Sequence, residues 1–381
     1  MISLEWVKDY IDISDQDLEE LAVKITQSGI NVEKVITNHI NNLVIGEVLE
    51  CVAHPDSDHL HVCKVNVGNT TEQIVCGAPN VREGLKVIVA LPGAVLPGDF
   101  EIKKSKIRGV ESNGMLCALY ELGLEEKNDE TYAKGIEELG TDASVGEDPL
   151  KYLGLDDTLY ELDIHKHRNN DCYYHIGFAY EIGAILNRPV TLPDLSFKED
   201  QNNVENYFTL DVETEKCPFY LAKMVKNAKI GESPEFIKKR LLAAGMRPIN
   251  NVVDISNYVM LEFGQPLHFF DKNRLGNHIL VRDAKDKEEV ITLDGKRRIL
   301  SSNDIVITDG NRPVCIAGVM GGENTEVEQD TTDILIEAAI FDPVSIRYTA
   351  ANLDLRSEAS IRYGKGLSYE YTEMALKRAC H

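Results

Sequence analysis

Four short runs between residues 43 and 93 decide the fold of the first half of this chain. They read LVIGEVLECV (43–52), LHVCKVNVG (60–68), QIVCG (73–77) and KVIVALPG (86–93). Each run is rich in β-branched residues, and polar or glycine-bearing turns separate one run from the next. Several strands at this spacing predict a small β-barrel or sandwich, which we place at residues 40–150.

Helical patterns flank this β region on both sides. On the N-terminal side Ser14 is a candidate N-cap with Asp17 as its acidic partner, and Gly29 supplies the left-handed residue at the end. The apolar residues between them recur at helical spacing: Leu18, Leu21, Ala22, Ile25. A second helix is predicted over 171–187. We expect the flanks, residues 1–39 plus 151–195, to form one small helical domain (a split α+β domain) into which the barrel is inserted.

Residues 200–381 mix helical and strand patterns. Ser233-Pro234 opens a helix with proline at the first helical position, and Gly245 lies beyond its end. Further on, two strands are joined by a turn at Asp309-Gly310-Asn311. The run ILIEAAIF (334–341) reads as a buried strand that carries one charge, Glu337. The whole chain is therefore predicted to be a multidomain α+β protein.

The composition excludes several classes of protein. The chain of 381 residues is 43% hydrophobic and 27% charged, which is typical of a folded globular protein and not of a collagen-like or disordered one. We see no apolar stretch of membrane-spanning length and no secretory signal, and therefore expect a cytoplasmic protein. The eight scattered cysteines form no CxxC pair and are expected to be free thiols. The net charge of −23 repels polyanions, so a nucleic acid must bind at a local basic patch or with help from another subunit.

Further motifs carry a family resemblance. Those in the second half are GMRPINNVVDISNYVMLEFGQPLHFFD (245–271), CIAGVMGGENTEV (315–327), ILIEAAIFDPVSIR (334–347) and LRSEASIR (355–362). The β region adds HPDSDHLHVC (54–63), IVCGAPNV (74–81) and SNGMLCALYELG (112–123). Taken together and in this order, they resemble the β subunit of bacterial phenylalanyl-tRNA synthetase. Because the family subunit is about twice as long, the resemblance is to its N-terminal half.

The resemblance implies both a fold and a function. It implies an OB-fold tRNA-binding domain at 40–150 and a mixed α+β B3/B4 editing-type domain at 200–381. The implied protein is the β subunit of phenylalanine–tRNA ligase, which binds tRNA(Phe) and hydrolyses tyrosine misattached to it. The alternative is a freestanding, non-catalytic paralogue that binds tRNA or a protein partner.

The resemblance also implies partners and cofactors. Aminoacylation, with its ATP and Mg²⁺, is expected on the synthetase α subunit and not on this chain, for which no cofactor is expected. In the family the two subunits form an α2β2 tetramer, with contacts mostly through the C-terminal half of the β subunit. No membrane partner is expected.

Two residues are the candidates for the editing chemistry. A pocket shaped for phenylalanine rejects tyrosine only weakly. A second site can select tyrosine with a buried carboxylate, because the carboxylate hydrogen-bonds the tyrosyl hydroxyl and is left without a partner when phenylalanine binds. The resemblance implies that Glu337 recognises the tyrosyl hydroxyl. It also implies that His268 lies in the editing site, where a neutral imidazole can orient the water or contact the terminal adenosine. The alternatives are a carboxylate at a strand edge or in a structural salt bridge for Glu337, and a core histidine with satisfied hydrogen bonds for His268.

Five further residues are candidates for binding the substrate. The resemblance places the small residues Gly321, Ser357 and Ala359 along the wall of the pocket, where they leave room for the aminoacyl ring. Arg247 and Asn250 are candidates for holding the ribose or the ester, and a turn-stabilising role is an equal alternative for both.

The β region carries the candidate tRNA contacts. They are four cations within six residues: Lys103, Lys104, Lys106, Arg108. Such side chains bind phosphates independently of sequence, and an ordinary solvated strand edge is the alternative. The histidines of HPDSDHLH (54–61) fit no standard zinc spacing, so no metal site is expected.

Overall fold

The computed structural model describes residues 1–37, 39–125, 127–165 and 168–381. The chain forms two units. Thr37–Asp157 make one, which we call the inserted unit, and Met1–Ile36 with Thr158–His381 make the other, the discontinuous unit.

The helices are α1 Leu4–Val7, α2 Leu18–Ser28, α3 Asp129–Lys134, α4 Pro149–Leu153, α5 Asn169–Cys172, α6 His175–Leu186, α7 Glu235–Ala243, α8 Asn251–Phe263, α9 Lys272–Leu275, α10 Pro343–Asn352, α11 Glu358–Tyr363 and α12 Tyr369–Cys380.

The strands are β1 Ile2–Ser3, β2 Asn31–Thr37, β3 Leu43–Ala53, β4 His61–Asn66, β5 Thr71–Cys76, β6 Lys86–Ala90, β7 Val95–Leu96, β8 Phe100–Glu101, β9 Ser105–Ile107, β10 Val110–Ser112, β11 Met115–Cys117, β12 Glu138–Leu139, β13 Thr158–Asp163, β14 Thr209–Val212, β15 Phe219–Val225, β16 His268–Asp271, β17 His278–Asp283, β18 Glu289–Ile291, β19 Arg297–Ile299, β20 Ile305–Thr308, β21 Pro313–Ile316, β22 Met320–Gly321 and β23 Ile334–Ile340.

The inserted unit is built around one antiparallel sheet in the order β11-β6-β3-β4-β5, with β12 also paired to β6. The four predicted strand runs correspond to β3, β4, β5 and β6, which confirms them as strands. Gly46 in β3 lies beneath side chains of both neighbouring strands. A Cβ at this position would come within 2.5 Å of Val89 Cγ2 and 2.8 Å of Val65 Cγ1, so glycine allows the side chains of β4 and β6 to close over β3.

The flanks of the inserted unit contain a three-stranded sheet in the order β1-β13-β2 as well as helices. Within them, the start of α2 differs from the prediction. The N-cap of α2 is Asp17, which accepts from Glu20 N at 2.9 Å, and not Ser14. Ser14 instead donates both its N–H and its hydroxyl to Asp12. Gly29 ends α2 with φ 116, as predicted.

The helix predicted over 171–187 is two helices. The chain leaves α5 after Cys172 and starts α6 at His175, with Tyr174 in an extended conformation as the N-cap. Gly177 packs against the backbone of α5, because a Cβ there would lie 1.8 Å from Asp171 O. This close approach fixes the break, and it is a tertiary contact that helical periodicity does not reveal.

Residues 209–381 supply a three-stranded sheet in the order β15-β23-β16 and a five-stranded sheet in the order β14-β17-β20-β21-β22. The predicted buried strand is β23 and the predicted pair of strands is β20 and β21, so both are confirmed. The helix opened by Ser233-Pro234 is α7, but Pro234 is its N-cap and not its first helical residue.

The β15-β23-β16 sheet is buried on both faces. One face joins the core that includes the flanks, through Leu221, Ile336 and Ala338. The opposite face joins the core of the five-stranded sheet, through Phe270, Leu335 and Ala339. Side chains that alternate along β23 therefore enter two different cores.

A buried polar chain joins the N-terminal segment to two later helices of the discontinuous unit. Trp6 Nε1 donates to Tyr10 OH at 2.7 Å, and Tyr10 OH donates to Glu262 Oε1 at 2.5 Å. Arg378 of α12 donates to the same carboxylate, with 2.8 Å between Nε and Oε2. The buried Glu262 of α8 is thus paired with a cation as well as with the N-terminal segment, as a buried charge requires.

Candidate functional site

Glu337 and His268 lie directly opposite each other on neighbouring strands. β16 pairs antiparallel with β23 in the register His268 to Glu337, and Ala222 of β15 is the partner of Glu337 on its other side. Opposed residues of an antiparallel pair project from the same face of the sheet. The structure therefore brings the carboxyl and the imidazole together on the face that packs against the five-stranded sheet.

Glu337 is buried among groups that carry no charge in their ordinary state. Its side chain is 3% exposed, and the titratable groups that face it are Cys217, Tyr220, His268, Cys315 and Tyr363. Burial raises the pKa of Glu337 to about 8, and the neighbouring Tyr220 hydroxyl limits the rise. The carboxyl is therefore largely protonated at pH 7. In the described part of the chain, its Oε2 atom has no hydrogen-bond partner.

His268 offers a neutral ring nitrogen next to this carboxyl. The residue is partly exposed, but its Nε2 atom is buried and has no hydrogen-bond partner among the described residues. The ring meets Phe270 edge-on, with 4.4 Å between the ring centroids. Burial lowers the pKa of His268 to about 4, so the imidazole is neutral at pH 7. A neutral imidazole can orient a water molecule either as donor or as acceptor.

Gly321 lies against the edge of the His268 ring. A Cβ on Gly321 would come within 2.3 Å of His268 Cε1 and 2.8 Å of its Nε2. The position therefore accommodates the imidazole only as glycine, and any side chain would push the ring away. The structure thus brings a third predicted residue into the same site.

Ser357 and Ala359 lie at the start of α11. Ser357 is the N-cap of this helix: its Oγ accepts from Ser360 N at 3.0 Å and donates to Val319 O at 2.6 Å. Val319 comes just before β22, so Ser357 ties α11 to the segment that carries Gly321. Ala359 packs against the core of the five-stranded sheet. The predicted contact of both residues with a substrate ring stays a prediction.

Arg247 and Asn250 are not joined to the pair. Asn250 is the N-cap of α8, and its Oδ1 accepts from Val252 N at 3.1 Å and Val253 N at 3.0 Å. Arg247 is exposed. Within the described residues neither side chain hydrogen-bonds to Glu337 or His268. For Asn250 the structure shows the alternative role, which is the stabilisation of a helix end.

Tyr220 is a member of this face that the sequence analysis missed. It pairs with Ala339 on β23 and so projects from the same face as Glu337. Its hydroxyl is buried and has no hydrogen-bond partner among the described residues, and its pKa is raised well above the ordinary value by burial and by Glu337. Nothing in the run FYLAKMV (219–225) marks this tyrosine, because only the strand pairing brings it beside Glu337.

The four basic residues of the inserted unit are all exposed, but most of them have a local partner. Lys103 pairs with Glu101 at 2.7 Å and Lys106 with Glu111 at 3.7 Å. Arg108, at a turn with φ 47, donates to Asp56 O at 2.8 Å. Lys104 lies between β8 and β9. Exposed ion pairs of this kind are weak, and they reduce the positive potential that these cations present.

The described residues contain neither a cluster of metal ligands nor a membrane-spanning helix. Over residues 1–37, 39–125, 127–165 and 168–381, no cluster of three or more His, Cys, Asp or Glu could bind a metal ion. In those same ranges, every helix is too short or too polar to cross a bilayer. All eight cysteines are free thiols, as predicted.

Two family models match parts of the chain. Residues 43–142 match the family model of a tRNA binding domain, and residues 216–381 match that of the B3/4 domain. A solved N-terminal fragment of the phenylalanyl-tRNA synthetase beta-subunit from Pyrococcus horikoshii is 14% identical, with a TM-score of 0.29 over 54% of this chain and 62% of that one. That score is too low to support a structural argument.

Curated relatives match the chain from end to end. The phenylalanine–tRNA ligase beta subunit of Geobacillus kaustophilus is 49% identical over 385 residues, which cover 100% of this chain and 48% of that protein. Its counterpart in Bacillus cereus (strain ZK / E33L) is 47% identical over 384 residues, 99% of this chain and 48% of that protein. The chain thus spans about half the length of the curated relatives it matches. The chain belongs to the family of phenylalanine–tRNA ligase beta subunits and corresponds to their N-terminal half.

Proposed function

We propose that this chain hydrolyses tyrosine from tRNA(Phe) as part of a phenylalanine–tRNA ligase beta subunit. The observation that carries the proposal is the pairing of Glu337 with His268 across one sheet face, with Glu337 buried among uncharged groups. A carboxyl without a counter-ion gains from a ligand that brings a hydroxyl group into contact with it. A tyrosyl ring brings one, whereas a phenylalanyl ring would leave the carboxyl unpartnered.

His268 supplies the second part of the proposed chemistry. Ester hydrolysis needs a water molecule held at the carbonyl carbon, and a neutral imidazole nitrogen can hold it. The Nε2 atom of His268, whose residue is the strand partner of Glu337, is buried and is not engaged by another described group. Gly321 leaves the space that this ring occupies. Glu337 would then select the substrate, and His268 would promote the attack of water.

We further propose that the inserted unit is an OB-type barrel that binds tRNA. The segment around β10 returns to β5: Asn113 N donates to Gln73 O at 2.8 Å, and Ser112 Oγ accepts from Val75 N at 3.0 Å. These bonds support closure of the sheet, because β5 is its last strand and β11 its first. Lys103, Lys104, Lys106 and Arg108 would contact tRNA phosphates.

The wider organisation is part of the same proposal. We divide the chain into a split α+β domain (1–39 plus 151–195), the OB-type domain (40–150) and a B3/B4 editing-type domain (200–381). Its partners would be tRNA(Phe) and a synthetase α subunit, in an α2β2 tetramer in the cytoplasm. ATP and Mg²⁺ would serve the aminoacylation carried out on the α subunit.

Hydrolysis of Tyr-tRNA(Phe) and Phe-tRNA(Phe) tests the editing proposal. With the full-length protein, Glu337→Ala should lower the preference for the tyrosyl ester by about five- to a hundredfold, because a buried hydrogen bond is lost. His268→Ala should slow hydrolysis of both esters by about a hundredfold.

The control for the second change is His278→Ala, which removes a partly exposed histidine of β17 that bonds to Asp211. This variant should leave both rates unchanged. If Glu337→Ala kept the preference for tyrosine, the editing assignment would be wrong. If the wild-type protein hydrolysed neither ester, the non-catalytic binding role would replace it.

A further inference from the structure

Three unpartnered polar atoms converge on one face of the β15-β23-β16 sheet. Among the described residues, eight buried side-chain nitrogen or oxygen atoms have no hydrogen-bond partner. Three of the eight are Tyr220 OH, Glu337 Oε2 and His268 Nε2, and these three share this face. Buried polar atoms are nearly always paired in folded proteins. Such a concentration at one place indicates a site built to bind a polar ligand group.

Tyr220 approaches Glu337 from the opposite side to His268. In the strand register Glu337 is opposite Ala222, and Tyr220 lies two residues earlier on the same strand and face. Such diagonal neighbours are within reach of each other when one side chain is aromatic and the other long. The Tyr220 hydroxyl is near enough to limit the pKa rise of Glu337, although the two groups do not meet in hydrogen-bonding geometry.

The carboxyl of Glu337 needs an orienting partner. The terminal torsion of a glutamate side chain has broad minima. Apart from Tyr220, the titratable groups that face it are His268, to which the proposed function assigns the water, two thiols, Cys217 and Cys315, and the Tyr363 hydroxyl. Tyr363 is already engaged with Pro266 O and Gln265, each at 3.3 Å. Thiols are weak hydrogen-bond donors. Tyr220 is the strong donor on this face whose hydroxyl is not engaged by another described group.

We propose that Tyr220 is a positioning residue for Glu337: its hydroxyl donates to one carboxyl oxygen and turns the other toward the phenolic hydroxyl of the bound tyrosyl group. This inference rests on the proposed editing function and deepens it. It makes the recognition of tyrosine a property of two side chains on adjacent strands. Tyr220 acts through Glu337 and has no part in the attack on the ester.

Tyr220→Phe tests the inference, because it removes one oxygen and keeps the ring in the core. With the full-length protein, the ratio of kcat/KM for Tyr-tRNA(Phe) to that for Phe-tRNA(Phe) should fall by about three- to tenfold, as expected for one hydrogen bond. The loss should lie in KM for the tyrosyl ester, with hydrolysis of the phenylalanyl ester unchanged. The matched control is Tyr160→Phe, which removes the hydroxyl that donates to Leu18 O. That variant should leave the ratio unchanged.

A double-mutant cycle separates positioning from packing. If Tyr220 acts through Glu337, Tyr220→Phe should have no further effect on the ratio in a Glu337→Ala background. Infrared difference spectra against Glu337→Gln follow the carboxyl directly. In Tyr220→Phe the carboxyl should lose its proton at a higher pH than in the wild type, since a donor to the ionised form has been removed.

The outcomes for the two levels of the proposal are distinct. A wild-type protein without preference for tyrosine would overturn the editing function itself. If the wild type and Glu337→Ala behaved as proposed but Tyr220→Phe kept the full ratio of the two kcat/KM values, only the role of Tyr220 would be overturned. Losses that add in the double variant, or an unshifted carboxyl titration, would do the same.

Discussion

The Glu337–His268 pair and the basic run Lys103–Arg108 are opposite kinds of polar site. The first lies on the central and an edge strand of a sheet, and Glu337 is 3% exposed. The second lies on short strands and turns at the surface, and two of its cations are paired with nearby glutamates. Among the described residues, Glu337 Oε2 and His268 Nε2 are buried and have no hydrogen-bond partner, whereas the cations of the run are exposed and most of them have local partners.

The two sites therefore differ in the physical origin of their interactions with a ligand. A buried polar group without a partner interacts strongly with a polar ligand group that contacts it, and salt screens this interaction little. An exposed cation contributes a small, salt-dependent attraction to phosphates. We therefore expect substitutions in the pair to change stability and selectivity strongly, and those in the run to change the salt dependence of binding.

The largest expected effect is on stability. The pKa of Glu337 rises from its ordinary value of 4.5 to about 8 in the folded chain, so between these pH values the folded state holds a proton that the unfolded state has released. The contribution of Glu337 to the free energy of unfolding therefore falls as pH rises through this window, by about 1.4 kcal/mol per pH unit. Glu337→Gln, which stays neutral, should remove this fall.

Urea unfolding of both proteins at pH 5 to 9 measures this effect. The difference in unfolding free energy between Glu337→Gln and the wild type should grow in favour of the variant up to about pH 8 and then level off. Contributions from other groups, including His268, are common to both proteins and cancel. If the unfolding free energies of the two proteins differed by the same amount at every pH, Glu337 would be ionised in the folded chain. The contrast between the Glu337–His268 pair and the basic run would then be lost.

Gly321→Ala should have the next largest effect. The added Cβ would lie 2.3 Å from His268 Cε1, and overpacking of this kind costs about 1–3 kcal/mol. Because the imidazole must move, hydrolysis of both esters should slow as well. Thermal unfolding and deacylation rates measure the two consequences.

Gly231→Ala is the matched control for this substitution. Among the described residues other than its two chain neighbours, no heavy atom lies within 4 Å of a Cβ built at Gly231, and its φ is not positive. The variant should keep both the stability and the rates of the wild type. If Gly321→Ala behaved like Gly231→Ala, the position of the His268 ring against β22 would be wrong.

The smallest effects are expected in the basic run. Lys104→Ala should weaken tRNA binding and lower the slope of log affinity against log salt by about one, as for one phosphate contact. Lys103→Ala and Lys106→Ala should have smaller effects, because Glu101 and Glu111 already offset these charges. Titration of labelled tRNA over a range of KCl concentrations measures the slopes.

Lys24→Ala, at an exposed position of α2, is the control for a general loss of positive charge. It should leave the slope unchanged. A slope that is insensitive to all three lysines of the run would place the tRNA contacts elsewhere on the molecule.

The strands were predictable because their signal is local. The runs that became β3 to β6 are rich in β-branched residues and are separated by turn residues, and the run that became β23 is short and almost wholly apolar. Helix ends were less predictable, because two adjacent candidates compete. Ser14 and Asp17 both have side chains that can cap a helix. In the structure Ser14 donates its N–H and its hydroxyl to Asp12, and Asp17 caps α2. The break between α5 and α6 depends on the packing of Gly177, which no local pattern shows.

The membership of the site was predictable only in part. Glu337 is conspicuous as one charge in an apolar strand, and His268 and Gly321 followed from motif resemblance. An asparagine side chain can either bind a ligand or cap a helix, and the structure shows that Asn250 caps α8. Tyr220 could not be found, because its neighbour Glu337 is more than a hundred residues away and only the strand register joins them.

The split of the discontinuous unit has a consequence for biosynthesis on the ribosome. β1 pairs with β13, and Tyr10 bonds to Glu262, a partner 252 residues later. The N-terminal segment must therefore wait while the inserted unit is translated, on the order of ten seconds at about 5–20 residues per second. The contacts of the inserted unit are local by comparison, so it can fold first. Once folded, it replaces a long flexible loop and lowers the entropy lost when β1 and β13 meet.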